Sequence, residues 1–81
     1  MSERIAVIGV VVTRREEVAR KVNDILSDNS HMIVGRMGIP YREKGVSVIS
    51  LIVDGSTDDI GAMTGKLGNI DGVRVRSAIT L

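Results

Sequence analysis

Two stretches of this chain are apolar on both faces of any strand they form, so the sheet that contains them needs cover on both sides. In Ile5–Val12 (IAVIGVVV), Ile5, Val7 and Val11 fall on one side, while Ala6, Ile8, Val10 and Val12 fall on the other, because strand side chains alternate with period 2. Val46–Val53 (VSVISLIV) repeats the excess, with Val46, Val48 and Ile52 opposite Ile49, Leu51 and Val53. Antiparallel sheets of small isolated domains commonly keep one face polar. The rest of the chain has the pattern of only two helices, enough for one face. The second face therefore calls for another subunit. Period alone does not decide whether the face with Ile8 and Val10 or the face with Val7 and Val11 meets that partner.

Chain length reinforces this expectation. With 81 residues, the sequence reads as a single domain over 1–81, and a chain of that size buries only about 60–65% of its unfolded surface. There is no Phe or Trp, and Tyr41 is the one aromatic residue, so the core is aliphatic and rich in the β-branched residues that favour strands. Eleven basic residues against ten acidic ones leave a net charge of +1. That balance provides no field for nucleic acid or acidic membrane. The absence of cysteine removes disulfides and thiolate chemistry, in keeping with a cytoplasmic protein. The first apolar run is too short to span a bilayer and lacks the basic n-region of a secretory signal.

Local patterns give the element order. Thr13-Arg14-Arg15-Glu16 has the spacing of a capping box, and Val18, Val22, Ile25 and Leu26 continue it as an amphipathic helix. This helix ends near Ser27–Ser30, where short polar side chains compete for backbone hydrogen bonds. A strand from Met32 to about Tyr41 contains Pro40, which confines it to an edge or a bulge. Arg42–Gly45 suits a hairpin loop back to Val46–Val53. Asp54–Asp59 combines a turn, an N-cap and two early acids. A second helix then carries the stripe Ile60, Met63 and Leu67, with Gly61 and Gly65 allowing it to lie close to the sheet. Asn69–Gly72 turns into a last strand, Val73–Thr80, whose Arg74 and Arg76 mark an edge.

The resulting strand-helix-strand, hairpin, strand-helix-strand order predicts an α+β, ferredoxin-like βαββαβ sandwich. Its four-stranded antiparallel sheet has the order 4-1-3-2, with two helices on one face.

Reactive constellations are scarce. A lone His31 without cysteine makes a poor metal site within one chain, although symmetry would bring copies of it together across a subunit interface. Asp58 and Asp59 suit the helix dipole better than catalysis, and the chain reads as a non-enzyme with no cofactor. The candidate ligand or interface residues are Thr13 and Arg14 at the first helix start, where backbone N–H groups and a cation suit an anion, and Arg36, Gly38 and Tyr41 on the irregular edge. Arg74 and Arg76 offer an alternative, a DNA-binding regulator, but the near-neutral charge and lack of stacking aromatics argue against direct nucleic-acid contact.

Arg36-Met-Gly-Ile-Pro-Tyr41, Gly45-Val-Ser-Val-Ile-Ser-Leu-Ile-Val-Asp54 and Leu67-Gly-Asn-Ile-Asp-Gly-Val-Arg-Val75 together resemble the small iron-only hydrogenase system regulators. The resemblance covers nearly the whole chain. That family is similar to the ACT-like regulatory domain at the C-terminus of nickel-responsive repressors. It implies a homo-oligomeric, dimeric or tetrameric, ligand-sensing or transcriptional regulatory module that takes a small molecule at a subunit interface or acts on a protein partner. The repressors' His-and-Cys nickel ligands have no counterpart set here. These 81 residues show no ribbon-helix-helix segment ahead of Ile5, and Thr13-Arg-Arg-Glu16 stands in place of the Asp-x-Pro-Gly-like turn of amino-acid-binding ACT domains.

Overall fold

The doubly apolar strands pair with each other at the centre of the sheet. In the computed structural model, which describes residues 3–81, β1 (Arg4–Thr13) lies antiparallel to β3 (Val46–Gly55) from Arg4 opposite Gly55 to Thr13 opposite Val46. The edges are β2 (Ile33–Tyr41), antiparallel to β3, and β4 (Val73–Ile79), antiparallel to β1, giving the order β2-β3-β1-β4. With α1 (Glu16–Asp28) after β1 and α2 (Thr57–Gly68) after β3, this is the ferredoxin-like βαββαβ arrangement that the sequence pattern predicts. Pro40 sits on edge strand β2, in register with Ser47, as suits a residue that cannot donate to a ladder on both sides; the β2–β3 ladder shifts register at the other end of the strand, between Ile33 and Gly35.

Helix cover decides which face is the core. Ala6, Ile8, Val10 and Val12 of β1 and Ile49, Leu51 and Val53 of β3 are buried with Val18, Val22 and Leu26 of α1 and Ile60, Met63 and Leu67 of α2. Each fully buried aliphatic side chain contributes roughly 1.5–3 kcal/mol relative to exposure. The helices thus cover the side of β1 that holds Ile8 and Val10.

Three local expectations are corrected. Thr13 does not cap α1: it remains in β1, and its N–H donates to the Gly72 carbonyl at 3.0 Å. Arg15, in an extended conformation, takes the N-cap place without a side-chain bond. The turn before α2 is shorter than its composition suggests, because β3 continues through Asp54 and Gly55; Ser56 caps α2, its Oγ accepting from the Asp59 N–H at 3.0 Å. Gly61 and Gly65 do not bring α2 closer to the sheet, since both are exposed and a Cβ added at either meets nothing within 4 Å.

This last arrangement gives a direct test of α2. Without a contact that requires glycine, each substitution to alanine removes only the glycine penalty, about 0.8–1.0 kcal/mol. Gly61→Ala and Gly65→Ala should therefore each raise the thermal midpoint by several degrees, since about 1 kcal/mol moves a domain of this size by roughly 4–8 °C. A fall in midpoint would show that the outer face of α2 is covered.

Candidate functional site

Two of the five candidate residues, Thr13 and Arg14, lie at the junction of β1 and α1, and two more, Arg36 and Gly38, lie beside it on β2. Thr13 ends β1, and Arg14 follows it on the exposed turn into α1. Both line a cleft of about 320 Å³, together with Asn23 of α1 and Ser47 and Ile49 of β3. Arg36 of β2 reaches its rim, where the guanidinium donates to Asn23 Oδ1 at 3.4 Å. Gly38 lies opposite Ile49 in the β2–β3 ladder. Tyr41 does not join them: it pairs with Val46 and projects from the other face of the sheet, 42% exposed.

The electrostatics of the cleft are nearly balanced. Arg15 Nε lies 3.6 Å from Glu17 Oε1, and Arg20 Nη2 lies 3.5 Å from Glu16 Oε1. Arg14 has no ion-pair partner among the described residues. The first turn of α1 lacks a side-chain cap, so its leading N–H groups are open to water or a ligand. Thr13 Oγ1 is a buried oxygen with no hydrogen-bond partner. An uncapped helix start, the Arg14 guanidinium, the Asn23 amide and the Ser47 hydroxyl around the cleft together suit a small polar or carboxylate-bearing molecule. Among the described residues, no group of three or more His, Cys, Asp and Glu is placed to hold a metal ion. His31 is exposed on the 3-10 turn before β2, outside the four-stranded face.

Gly72, absent from the candidates, shapes this end of the molecule. Its φ is +93°, and a Cβ there would lie 2.8 Å from Thr13 Oγ1. The Asn-Ile-Asp-Gly turn signalled a glycine; the close approach to Thr13, 59 positions earlier in the sequence, emerges only once β4 is paired with β1. Gly72→Ala combines a disfavoured backbone with a clash, so a loss of about 1–3 kcal/mol is expected. Chemical denaturation should show a lower midpoint with an unchanged slope; an unchanged midpoint would mean that Thr13 yields freely.

The opposite face of the sheet carries the remaining unassigned feature. Val7 and Val11 of β1, Val48 and Ile52 of β3, and Met37, Ile39 and Tyr41 of β2 share it by register. They range from 36% exposed at Val11 to 64% at Met37. Arg74 and Arg76 of β4 border the patch, opposite Val11 and Gly9. A contiguous apolar surface on this scale marks a contact site more often than a solvated face.

Comparisons with known proteins agree with this architecture. The protein TM1266 of Thermotoga maritima, described as uncharacterized, is 39% identical, with a TM-score of 0.96 over 99% of this chain and 100% of that one. A protein of unknown function from Galdieria sulphuraria shares the fold at 12% identity and a TM-score of 0.66, over 99% of this chain and 46% of that chain. No curated protein matches. Among the described residues, no helix is long and apolar enough to cross a membrane. The family match over residues 4–77, to "TM1266-like: Iron-only hydrogenase system regulator, putative", shows that this chain belongs to that family.

Proposed function

We propose that this chain is a non-enzymatic, cytoplasmic regulatory module of an iron-only hydrogenase system, working as a homo-oligomer and binding a small ligand near the β1–α1 cleft. The observation that carries the reading is the open apolar face, with seven large hydrophobic side chains exposed across β1, β2 and β3. Family membership supplies the regulatory context. The cleft supports the ligand role, since it combines polar groups from α1, β1 and β3 with an ungrouped cation.

Light scattering on the purified chain at micromolar concentration tests the assembly. A mass of two or four times 8.7 kDa is expected. A stable 8.7 kDa species would end the homo-oligomer reading and turn the open face into a docking surface for a different protein.

A further inference from the structure

We propose that Gly9 and Ser50 form a seat at the centre of the open face, into which an aliphatic side chain of a second copy of this chain fits. The inference rests on the homo-oligomer reading and deepens it by naming the contact that sets the fit. Gly9 pairs with Ser50 on one side and Arg76 on the other, and Ser50 pairs with Met37. The row across the four strands is thus Met37, Ser50, Gly9, Arg76, with its two smallest members in the middle. Along the strands, Val7 and Ile52 flank this pair at one end, and Val11 and Val48 flank it at the other. Two aliphatic ridges therefore bound a shallow valley. A depression of about 210 Å³ lies beside Ser50, Met37 and Ile52.

Nothing inside the chain requires the glycine. Gly9 has no positive φ, and a Cβ added there meets no atom within 4 Å. Gly72 is different, held by its backbone conformation and by Thr13. A glycine in a strand interior weakens the strand, and it often marks the close approach of a ligand or another backbone. Here the space above it opens outward, in the middle of an apolar face.

A second copy is the occupant because the face is self-complementary. It carries both ridges and valley, so a two-fold relation puts a ridge of each copy into the valley of the other. Facing sheets lie about 10 Å apart with interdigitating side chains. Four strands span about 19 Å, and the paired length is about 25–30 Å. That footprint is about 500 Å² per copy, roughly 1,000 Å² for the pair, which is about the total area that a specific interface must bury.

Filling the valley tests the proposal. Gly9→Val and, on the neighbouring strand, Ser50→Val should remain folded by circular dichroism, since valine suits an open strand position. Each should weaken self-association by about 30-fold or more, because overpacking acts twice in a symmetric interface. Sedimentation velocity across a concentration series reads both association and mass. If wild type assembles and both folded valine variants assemble as tightly, the seat is wrong while the homo-oligomer stands. If wild type stays monomeric throughout, the homo-oligomer reading fails and the seat with it. Should one variant fail to fold, the other carries the test.

Discussion

Ile8→Lys is expected to unfold the chain at 25 °C or strip it of about 4–5 kcal/mol of stability, whereas Val7→Lys, one residue earlier in the same strand, is expected to fold. Ile8 is fully buried between the central strands and the helices, and Val7 is 42% exposed on the other face. The lysine at position 8 forfeits the burial of isoleucine, worth about 1.5–3 kcal/mol. It also strands an ammonium, or the neutral amine it becomes, among Leu51, Leu26 and their neighbours in the core without a partner. Together these losses reach the 4–5 kcal/mol that marks the extreme of single substitutions. At about 0.05–0.15 kcal/mol per residue, a chain of 81 residues has roughly 4–12 kcal/mol to lose. Far-ultraviolet circular dichroism and a thermal melt check both variants. A melt for Ile8→Lys as high as that of Val7→Lys would mean that the helices do not cover the β1 face as described.

That contrast also shows what the sequence conveys and what it withholds. Period 2 separates Ile8 from Val7, but both sides of β1 are aliphatic, so hydrophobicity does not choose between them. The choice is made by the helices, whose stripes Val18, Val22, Leu26 and Ile60, Met63, Leu67 pack on one side only. Strand order was more legible: Pro40 and the two β4 arginines mark edges, and right-handed crossovers then place β1 and β3 at the centre. The capping-box expectation at Thr13 failed because sheet pairing prevailed over local chemistry, with the bond to Gly72 holding Thr13 in β1. The α2 glycines were readable from helical geometry. Gly61 and Gly65 lie off the Ile60, Met63, Leu67 stripe at about 100° per residue, which places them outward.

The candidate site was legible only in pieces. Arg14 and Arg36 are separated by 22 positions in the sequence, and Asn23, which lines the cleft with Arg14 and accepts from Arg36, is a helix residue with no distinguishing local signal. Tyr41 looked like part of the same run as Arg36 and Gly38. Alternation sends it to the opposite face instead, with Met37 and Ile39. The run from Arg36 to Tyr41 thus serves two surfaces, the cleft rim through its even positions and the open face through its odd ones.

The same alternation makes the second large effect one of assembly rather than folding. The double variant Val7→Lys and Ile52→Lys places charges on two directly paired residues of β1 and β3, at 42% and 46% exposure in the single chain. In the monomer each change is a surface substitution, within about 0.5 kcal/mol, apart from modest repulsion between like charges across the strands. In a face-to-face assembly, two-fold symmetry doubles the number of lysines to be desolvated at the centre of the contact, where an unpaired charge costs several kcal/mol. Association should therefore be lost at micromolar concentration while the fold remains. Linkage supplies an independent readout, because association stabilises the native state by mass action. The wild-type melting temperature should rise with protein concentration, and that of the double variant should stay constant near the dilute wild-type value. A double variant that retained the wild-type mass and concentration dependence would place the interface elsewhere on the molecule, with the helix side and the two sheet edges as the surfaces left to carry it.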